Sequence, residues 1–405
     1  MAVTFNIDTS MANLQEKSVL VRETDTDYIV LNYNSSSGVQ DSSSVQDDSI
    51  YRLMNAIVLN NHNREILAIG PSTPFSLENF KKMHGGYNRK NIEVTEMIEG
   101  LFFQLFWDER INKWEIGTHN GVSGNYSYYR MPHVKTPTYR TMIKQAMGDV
   151  EDIQDWKGLE YMDKKCCYHF VLQHPDNHLI FKIVKPVIYI IGAFELLQTT
   201  NQIRYIPPNE YTNVFPADQE LVLLPPVLTF GDDNDYESVL EEFVSIHQPN
   251  TRMGIVIKHV NTGDTVIALN PAYEELQKIR GTHPNLLYHY LCLKRIKKTE
   301  VFLNFFPQYE ECFVLFHSLY ESLVSQIHQS YVDLFVLKKK SANYTKFYYH
   351  IKQIHSTIYI PSLKGEHVVI IRKKIVRSYV DGLLPGQILH MLQYELYKMQ
   401  EVNHK

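Results

Sequence analysis

The hydrophobic pattern of this chain changes its period near Pro271, and this change limits the possible fold more than any other feature. Before Pro271, short apolar runs partly alternate with polar residues and are separated by polar turns, as half-buried antiparallel strands require. After Pro271, apolar residues recur at helical spacing, most clearly along one stripe of residues 313–337. The chain is therefore predicted to be α+β, with an antiparallel-sheet domain followed by a mostly helical domain.

Individual elements follow from the same patterns, and strand patterns are expected to begin at Tyr51. The predicted strands are 56–60, 65–69, 100–107, 114–118, 168–173, 179–184, 187–194, 254–260 and 264–269. The predicted helices are 138–147, 235–246, 313–337 and 385–399. Pro385 suits the first turn of the last helix, because a backbone N–H has no helical partner at that position.

Three segments follow from these elements. Residues 1–50 are an N-terminal segment with a flexible Ser/Asp-rich loop at 35–49, where hydrophobicity is too low for packing. Residues 51–285 are the sheet domain, and residues 286–405 are the helical, basic domain. From residue 287 onward, 16 Lys and Arg stand against 9 Asp and Glu, although the whole chain has a net charge of −5. This asymmetry indicates either an anion-binding module or a solvated basic surface.

The composition is that of an ordinary globular protein, with 44% hydrophobic and 21% charged residues. No apolar signal-peptide core is visible at the N-terminus, and Lys182 and Lys185 interrupt the most apolar stretch, residues 179–196. We therefore expect a protein that is neither secreted nor inserted in a membrane. The cysteines lack metal-ligand spacing and are expected to be reduced thiols: Cys166, Cys167, Cys292 and Cys312.

Six short motifs follow one another between residues 64 and 273. They are Arg64-Glu65-Ile66-Leu67-Ala68 with Pro74-Phe75 and Glu78-Asn79-Phe80, Met97-Ile98-Glu99-Gly100, Trp114-Glu115-Ile116-Gly117-Thr118-His119-Asn120-Gly121, Phe170-Val171-Leu172-Gln173-His174-Pro175-Asp176-Asn177, Met253-Gly254-Ile255-Val256-Ile257-Lys258 and Ile267-Ala268-Leu269-Asn270-Pro271-Ala272-Tyr273. Their order and spacing resemble those of phage-type ATP-dependent RNA ligases, which are covalent nucleotidyltransferases. The form that the motifs take in this chain is similar to that in ligase-like proteins of large DNA viruses. The resemblance implies a nucleotidyltransferase (ATP-grasp-like ligase) domain over about residues 50–290.

The resemblance also implies a set of catalytic positions, and this chain departs from the family at most of them. Where the family has the nucleophilic lysine of Lys-x-Asp-Gly or Lys-x-Glu-Gly, this chain has Met97, whose thioether cannot form a phosphoramidate. The family's ribose-contacting glutamate, metal-holding glutamate and two phosphate-handling lysines correspond to Val171, Met253, Ile267 and Leu269. The remnants of the nucleotide pocket are Glu99, Gly100, Gly121, Gly254 and Lys258.

Every charge lost at these positions became apolar, which is consistent with joint replacement of a buried polar set. We therefore predict a catalytically inactive binding or structural module with a filled or narrowed pocket and with no cofactor or metal. Two alternatives stay open. One is an active ligase with a relocated lysine nucleophile, although the neighbouring Lys90 and Lys113 are not expected to face the pocket. The other is a nucleotide or cap reader, which predicts a cavity beside Glu99 and Gly100 instead of packed Met97, Met253 and Ile267 side chains.

Basic clusters in the last third of the chain suggest a partner. They are Lys294, Arg295, Lys297 and Lys298; Lys338, Lys339 and Lys340; and Arg372, Lys373 and Lys374, with Tyr344, Phe347, Tyr348 and Tyr349 nearby. Basic and stacking side chains together are typical of single-stranded nucleic-acid binding, and the resemblance implies RNA recognition by the helical region. RNA or DNA is one candidate partner and a viral or other protein is the second, in the cytoplasm or a virion. Surface solubility is the alternative role of these lysines.

The acidic run at residues 232–235 hints at a calcium loop. It lacks the glycine and the spaced glutamate of an EF-hand, so helix N-capping is preferred for this segment.

Overall fold

The structure is a computed structural model that describes residues 4–6, 19–23, 27–33, 51–53, 55–88, 90–127, 136–197, 202–216, 220–230, 235–246, 252–281, 283–339, 346–364 and 367–393. The chain divides into two compact units. Unit 1 is Met1–Ser127 with Pro137–Lys278, and unit 2 is Tyr128–Thr136 with Ile279–Lys405. The Ser/Asp-rich run 35–49, Asp232 to Asn234, Lys340, Tyr344 and the helix predicted beyond residue 393 lie outside the described residues.

Fourteen strands are described, and all of them belong to unit 1. They are β1 (Thr4–Asn6), β2 (Val19–Glu23), β3 (Tyr28–Tyr33), β4 (Ile57–Asn60), β5 (Ile66–Ala68), β6 (Ile92–Met97), β7 (Leu101–Asp108), β8 (Lys113–Thr118), β9 (Gly121–Val122), β10 (Cys166–Gln173), β11 (Val187–Leu197), β12 (Gln202–Tyr205), β13 (Gly254–His259) and β14 (Thr265–Leu269). They form a seven-stranded sheet in the order β1-β12-β11-β10-β7-β8-β9, a three-stranded sheet β14-β13-β6 and a four-stranded sheet β2-β3-β4-β5. The pairings between these strands are antiparallel, which confirms the predicted sheet type.

Two strand predictions are wrong. Strands do not begin at Tyr51, because β1, β2 and β3 precede it and β3 pairs with β4 through Leu31 opposite Ile57. Residues 179–184 are not a strand, and they follow β10 as an irregular loop. The backbone amides of that loop converge on one carboxylate instead of joining a ladder, as described with the site below.

The helices are α1 (Leu77–His84), α2 (Tyr139–Ala146), α3 (Pro208–Tyr211), α4 (Tyr236–Ile246), α5 (Pro271–Arg280), α6 (Leu286–Arg295), α7 (Thr299–Phe305), α8 (Glu310–Tyr331), α9 (Tyr348–Ile354), α10 (Ile360–Ser362), α11 (Lys373–Asp381) and α12 (residues 385–393). Short 3₁₀ turns cover Tyr51–Leu53, Ile153–Asp155, Lys157–Tyr161 and Pro307–Tyr309. Asp235 begins α4, and its Oδ1 accepts the backbone N–H of Ser238 at 2.8 Å. This bond lowers the pKa of Asp235, in accord with the capping preferred for this segment.

The three-stranded sheet packs one face against helices. Ile92, Val94, Ile255, Ile257 and Val266 alternate along β6, β13 and β14 and are buried against Phe80 of α1 and against Tyr236, Val239 and Phe243 of α4. Because side chains alternate between the two faces of a strand, the residues between them project from the other face. That second face carries the motif positions considered below.

The seven-stranded sheet is covered on both faces. One face, with Phe103, Phe170 and Ile190, packs on Met142 and Ile143 of α2. On the other face, a separate set of side chains packs on the four-stranded sheet: Phe106, Cys167, Phe194 and Leu196 with Ile29, Leu31, Val58 and Ile69. Two buried layers therefore fix the position of β7, β10 and β11 in unit 1.

A strap of residues 220–230 ties the large sheet to the three-stranded sheet. On one side, the Leu223 N–H donates to the Ile188 carbonyl at 2.8 Å, and the Leu223 carbonyl accepts from Ile190 at 3.0 Å. On the other side, the Pro226 carbonyl accepts the N–H of Glu96 at 2.9 Å. Backbone hydrogen bonds of one segment thus hold the two sheets together beside the motif positions.

Unit 2 is helical, which confirms the predicted C-terminal architecture. The long helix α8 continues as a π-helical turn, Val332–Val336, and α9 continues as another, His355–Tyr359. On α8 and α11, Arg377 donates to Glu321 at 2.6 Å and Tyr320 donates to Asp381 at 2.5 Å. No helix in the described part of the chain has the length and apolar character needed to cross a bilayer.

Candidate functional site

Three of the predicted site positions share one face of the three-stranded sheet. Met97 and Leu269 lie directly opposite Gly254, on either side of it, and Ile267 is opposite Val256. Directly paired residues in antiparallel strands project from the same face, as do residues two apart on one strand. Met97, Ile267 and Leu269 therefore form one apolar surface, opposite the face that packs on α4.

This surface is partly open to solvent. Ile267 is 37% exposed, and Val227 of the strap, which extends the same row through Thr95, is 60% exposed. Met253 precedes β13 and is half-buried, with its carbonyl accepting the N–H of Asn270 at 2.9 Å. Met97, Met253 and Ile267 are thus not sealed into one packed core.

The glycines of the motifs permit close backbone approach. A Cβ at Gly100 would lie 2.4 Å from the carbonyl oxygen of Leu172 and 2.6 Å from Cγ1 of Val171. A Cβ at Gly254 would lie 2.3 Å from the carbonyl oxygen of Ala268. Both separations are far below van der Waals contact, so only glycine fits at these two positions.

Val171 and Gly121 belong to the large sheet. Val171 is buried, and it pairs with Phe102 on one side and with Tyr189 on the other. Gly121 begins β9, where its carbonyl accepts the hydroxyl of Thr118 at 3.0 Å. Val171 therefore lies beside the Met97–Gly100 turn, whereas Gly121 supports a tight hairpin end.

Glu99 is buried at 5% exposure and anchors the loop after β10. Its Oε1 accepts three consecutive backbone N–H groups, from Leu179 at 2.8 Å, Ile180 at 2.9 Å and Phe181 at 3.3 Å. Three successive amides that point at one atom cannot alternate as the amides of a strand do. This is the physical reason why residues 179–184 do not form the predicted strand.

An open pocket of about 300 Å³ lies beside this anchor. Its lining combines the end of β6, the end of β10 and the anchored loop: Glu96, Met97, Ile98, Glu99, Gln173, Phe181, Lys182, Ile183, Val184, Lys185 and Val187. Gln173 donates from Nε2 to the carbonyl of Glu99 at 3.1 Å. A cavity is therefore present beside Glu99, and two lysines line it.

Lys258 projects from the same face as Met97 but lies outside the pocket lining. Its Nζ donates to the carbonyl of Ile191 at 3.0 Å and to the hydroxyl of Tyr211 at 2.9 Å. The ammonium also lies 5.3 Å from the Tyr211 ring centroid. Lys258, predicted as a remnant of the nucleotide pocket, is thus hydrogen-bonded to the large sheet and to α3.

Two histidines near the site, the buried His169 and the exposed His119, make contacts with neighbouring groups of the fold. Nε2 of His169 donates to the carbonyl of Ile69 at 2.6 Å, and desolvation lowers the pKa of His169 to about 4, with a further lowering by Lys258. Desolvation of the ring also lowers the pKa of His119, whose ring lies 4.8 Å from that of Phe102. Both rings are therefore neutral at pH 7.

The site does not fit a divalent metal ion. Among the residues that the structure describes, no three His, Cys, Asp or Glu side chains are grouped to hold a metal. Of the two pocket carboxylates, Glu96 lies 3.4 Å from the guanidinium of Arg252, and Glu99 is occupied by backbone amides through Oε1. Hard cations need several oxygen ligands, which this arrangement does not supply.

Sequence reasoning missed the two pocket lysines. In the sequence, Lys182 and Lys185 were considered only because they interrupt an apolar stretch, although both follow the motif that contains Gln173. Both side chains are exposed, and they reach the pocket because Glu99 fixes the loop before them. The sequence shows only that the two lysines lie close to a motif. Their place at the pocket depends on the Glu99 carboxylate, which lies 80 residues before Leu179 in the chain and holds the loop.

The basic residues of unit 2 lie mostly on its surface. Arg295, Lys297, Lys298, Lys338, Lys339, Arg372, Lys373 and Lys374 are exposed, and Lys294 is half-buried. Lys294 Nζ lies 4.4 Å from the ring centroid of Tyr320, and Lys373 lies 3.6 Å from Glu321. Tyr349 is 66% exposed, whereas Phe347 is buried. Exposed charge and exposed rings are thus both available on this unit.

Comparisons with known proteins give structural similarity alone. No protein-family model matches the sequence, and no curated protein matches it. The structure is similar to an apo mutant of Naegleria gruberi RNA ligase, with 14% identity, a TM-score of 0.38 and coverage of 56% of this chain and 62% of that chain. It is also similar to a mutant of that ligase with AMP and Mn and to the ligase with PPi, each with 15% identity, a TM-score of 0.37 and coverage of 52% and 58%. The chain thus spans less than two thirds of the ligase chains that it matches.

Proposed function

We propose that this chain is a catalytically inactive RNA-ligase-like protein that works as a binding module. The observation that carries the proposal is the state of Lys258. It is the one lysine retained at the family's motif positions, and its ammonium is held by the Ile191 carbonyl and the Tyr211 hydroxyl. Two of the three N–H donors of this ammonium are therefore taken up within the protein, which argues against a role in phosphate binding.

The other motif positions agree with this proposal. Met97 has no amine, and the surface that it forms with Ile267 and Leu269 on one face of the three-stranded sheet is apolar. Nucleotidyl transfer needs positive charge around the phosphates and a nucleophile that can be deprotonated. Neither group is supplied by these side chains.

An active ligase with a relocated nucleophile is the second candidate. Lys182 and Lys185 favour it, because they line the pocket together with Glu96 and Glu99. Both lysine side chains are exposed, however, and an exposed ammonium is strongly hydrated. The absence of a metal-holding group among the described residues also argues against this candidate.

A nucleotide or cap reader is the third candidate, and the pocket beside Glu99 is the observation in its favour. It requires nucleotide binding without covalent chemistry. Thermal unfolding of the protein with and without ATP and Mg²⁺ separates it from the first proposal. A binding module of the kind proposed here shows the same midpoint in both conditions, whereas a reader shows a rise that grows with ATP concentration.

We propose single-stranded RNA or DNA as the partner of unit 2. The support is the exposed set of lysines and arginines together with the exposed rings of Tyr348 and Tyr349. A protein partner, such as a component of a viral assembly in the cytoplasm or a virion, is the competing class. Exposed apolar side chains of unit 2, among them Val314 and Ile370, favour that class.

Binding of labelled single-stranded RNA at several salt concentrations tests the partner. In the variant that combines Lys297→Glu with Lys298→Glu, we expect weaker binding and a shallower salt dependence, with the slope reduced by roughly one for each phosphate that is no longer bound. Lys82→Glu, at an exposed lysine of unit 1, is the matched control and is expected to bind like the parent protein. Equal binding by all three proteins contradicts an RNA surface at this cluster.

A further inference from the structure

We propose that a groove between α6 and α12 binds a short acidic segment of a partner protein. A large apolar side chain of the partner occupies the groove, and carboxylates of the same segment lie on its basic rim. Every residue that lines this α6–α12 groove belongs to unit 2. The proposal goes beyond nucleic-acid binding by unit 2 and does not depend on it.

The α6–α12 groove has a volume of about 700 Å³ and two walls. The first wall is one face of α6 and the residue after it, at helical spacing: Tyr288, Cys292, Arg295 and Ile296. The second wall is the beginning of α12, residues 384–387. Another face of α6 packs into unit 2 through Tyr290, whose ring centroid lies 5.2 Å from that of Phe313 on α8. The first wall is therefore fixed by packing behind it.

Packing and capping also fix the second wall. Ile388, Met391 and Leu392 of α12 are buried. Gln387 Oε1 accepts the backbone N–H of Leu384 at 3.0 Å, and the Leu384 carbonyl accepts the N–H of Ile388 at 3.2 Å. Leu384 is thus the N-cap residue of a packed helix. Because both walls are formed in the free protein, a ligand need not order them when it binds.

The accessible lining of the α6–α12 groove is mostly apolar. Ile296 on one wall is 58% exposed, and Leu384 on the other wall is 57% exposed. Exposed apolar surface with a polar border marks interaction sites on soluble proteins, and a partner's apolar side chain placed here removes apolar surface of both molecules from water. A sugar or a phosphate would instead lose hydration without gaining polar partners. The groove therefore selects a large apolar side chain.

The rim of the α6–α12 groove is positively charged. Arg295 is part of the lining, Lys297 and Lys298 follow it in the chain, and all three residues are exposed. In the described part of unit 2, ion pairs are made on Glu321 and Asp333, and none of these three residues takes part in them. Carboxylates of a partner supply the missing opposite charge, which speeds association and favours acidic partners over basic ones. An acidic segment with one apolar anchor matches both the rim and the lining.

Single-stranded nucleic acid is the competing occupant, because the same rim attracts its phosphates. A base in the α6–α12 groove would lose the hydration of its polar edge, and the mostly apolar lining offers little in return. The peptide is therefore the better match, and both ligands enter the test.

Cys292 reports whether the groove is occupied, because its free thiol belongs to the lining. Cys312 is the internal control, since it is a free, partly buried thiol of the same unit that lies outside the lining. Burial raises the pKa of both thiols. The rate of alkylation by N-ethylmaleimide, followed for each cysteine by mass spectrometry, measures how accessible the two thiols are.

The ligands are peptides selected from a random displayed library on the full chain. We expect the enriched peptides to share a large apolar residue next to Asp or Glu. At a concentration of about ten times its dissociation constant, such a peptide should slow the alkylation of Cys292 about tenfold and leave Cys312 unchanged. Polyuridylate, tested in the same way, is expected to leave Cys292 reactive.

Two variants test the wall and the rim separately. Leu384→Asp places a carboxylate in the groove, and Asp is a preferred N-cap residue, so α12 should keep its stability. We expect Leu384→Asp to bind the peptides at least about tenfold more weakly, equivalent to about 1.4 kcal/mol. Arg295→Gln should lower the affinity at low salt and change it little at high salt. Lys374→Gln, at an exposed lysine of α11, is the matched control and should bind like the parent protein.

Peptides of the expected composition that protect Cys292 in the parent protein, and bind Leu384→Asp weakly, support the proposal. Enriched peptides without acidic residues, peptides that leave Cys292 reactive, or equal affinity for Leu384→Asp overturn it. Protection of Cys292 by polyuridylate alone also overturns it and assigns the groove to nucleic acid. A Cys292 that is unreactive in the free parent and reactive in Leu384→Asp would mean that the chain itself covers the groove, which overturns the proposal as well.

Discussion

Lys258 and Tyr211 are joined by a hydrogen bond of 2.9 Å between the lysine Nζ and the phenolic oxygen. The same Nζ donates to the carbonyl of Ile191 on β11 at 3.0 Å, so one side chain links the three-stranded sheet to the large sheet and to α3. Lys258, predicted from the sequence as a remnant of a nucleotide pocket, thus has a structural role between the two sheets.

Replacement of Lys258 by methionine tests this structural role. Lys258→Met removes two hydrogen bonds from a partly buried ammonium, and we expect the free energy of unfolding to fall by about 2–4 kcal/mol. Tryptophan fluorescence in urea reports unit 1, because Trp107, Trp114 and Trp156 all belong to it. The control is Lys82→Met, at an exposed lysine. Equal stability of the two variants would show that Lys258 is not a structural link.

Loss of the Glu99 carboxylate is expected to release the loop that carries Lys182 and Lys185. Glu99→Ala leaves three backbone N–H groups without their shared acceptor, and we expect a loss of about 3 kcal/mol in unfolding free energy. Faster hydrogen exchange at the amides of Leu179 and Ile180 should accompany it. Glu78→Ala, at an exposed glutamate of α1, is the control and should change neither quantity. Unchanged exchange at the loop in Glu99→Ala contradicts the anchoring role.

Gly254 is expected to tolerate no side chain. Gly254→Ala places a Cβ 2.3 Å from the carbonyl oxygen of Ala268, so β13 and β14 must separate, at a cost of about 1–3 kcal/mol. Gly86→Ala is the matched control, since a Cβ at Gly86 meets nothing within 4 Å. Urea unfolding of both variants provides the measurement. A Gly254→Ala protein as stable as Gly86→Ala would contradict the close approach of these strands.

Because His169 is buried, the free energy of unfolding is expected to fall at mildly acidic pH. Burial lowers the folded-state pKa of His169 to about 4, so the folded protein resists a proton that the unfolded chain binds near pH 6.5. The contribution of His169 is therefore complete above pH 6.5 and is lost progressively as the pH falls toward 4. At pH 5 the loss amounts to about 2 kcal/mol.

The measurement is the difference in unfolding free energy between pH 7 and pH 5. His169→Gln retains a donor for the Ile69 carbonyl and should show a smaller decrease than the parent protein. His62→Gln, at an exposed histidine, should show the parent's decrease. Identical pH dependence in all three proteins would mean that His169 is not held neutral.

Elements stabilised by local patterns were predictable from the sequence. The hairpin of β7 and β8, for example, has alternating apolar residues and a polar turn, and the α2 region begins with Thr138, whose hydroxyl caps the Thr141 amide at 3.2 Å. These signals lie within a few residues of each other, so the sequence displays them directly. The same reasoning placed α4, β13 and β14.

Features decided by distant partners were not predictable in this way. Residues 179–184 have the composition of a strand, but the carboxylate of Glu99 takes their amides. The strap depends on hydrogen bonds between Leu223 and Ile188 and between Pro226 and Glu96. No local sequence pattern predicts these bonds, because each joins residues that are far apart in the chain. The positive charge of the pocket was missed for the same reason, because the position of Lys182 and Lys185 depends on the loop that Glu99 holds.

The most direct test of the central claim is incubation of the purified protein with α-labelled ATP or GTP and Mg²⁺ or Mn²⁺, followed by a denaturing gel. We predict no covalent label on the parent protein. We also predict none on a Met97→Lys variant. The other charged groups that the ligase resemblance implies would still be missing, because their positions are occupied by Val171, Met253, Ile267 and Leu269. A covalent label on the parent protein that is absent from Lys182→Gln or Lys185→Gln would contradict catalytic inactivity and establish a relocated nucleophile.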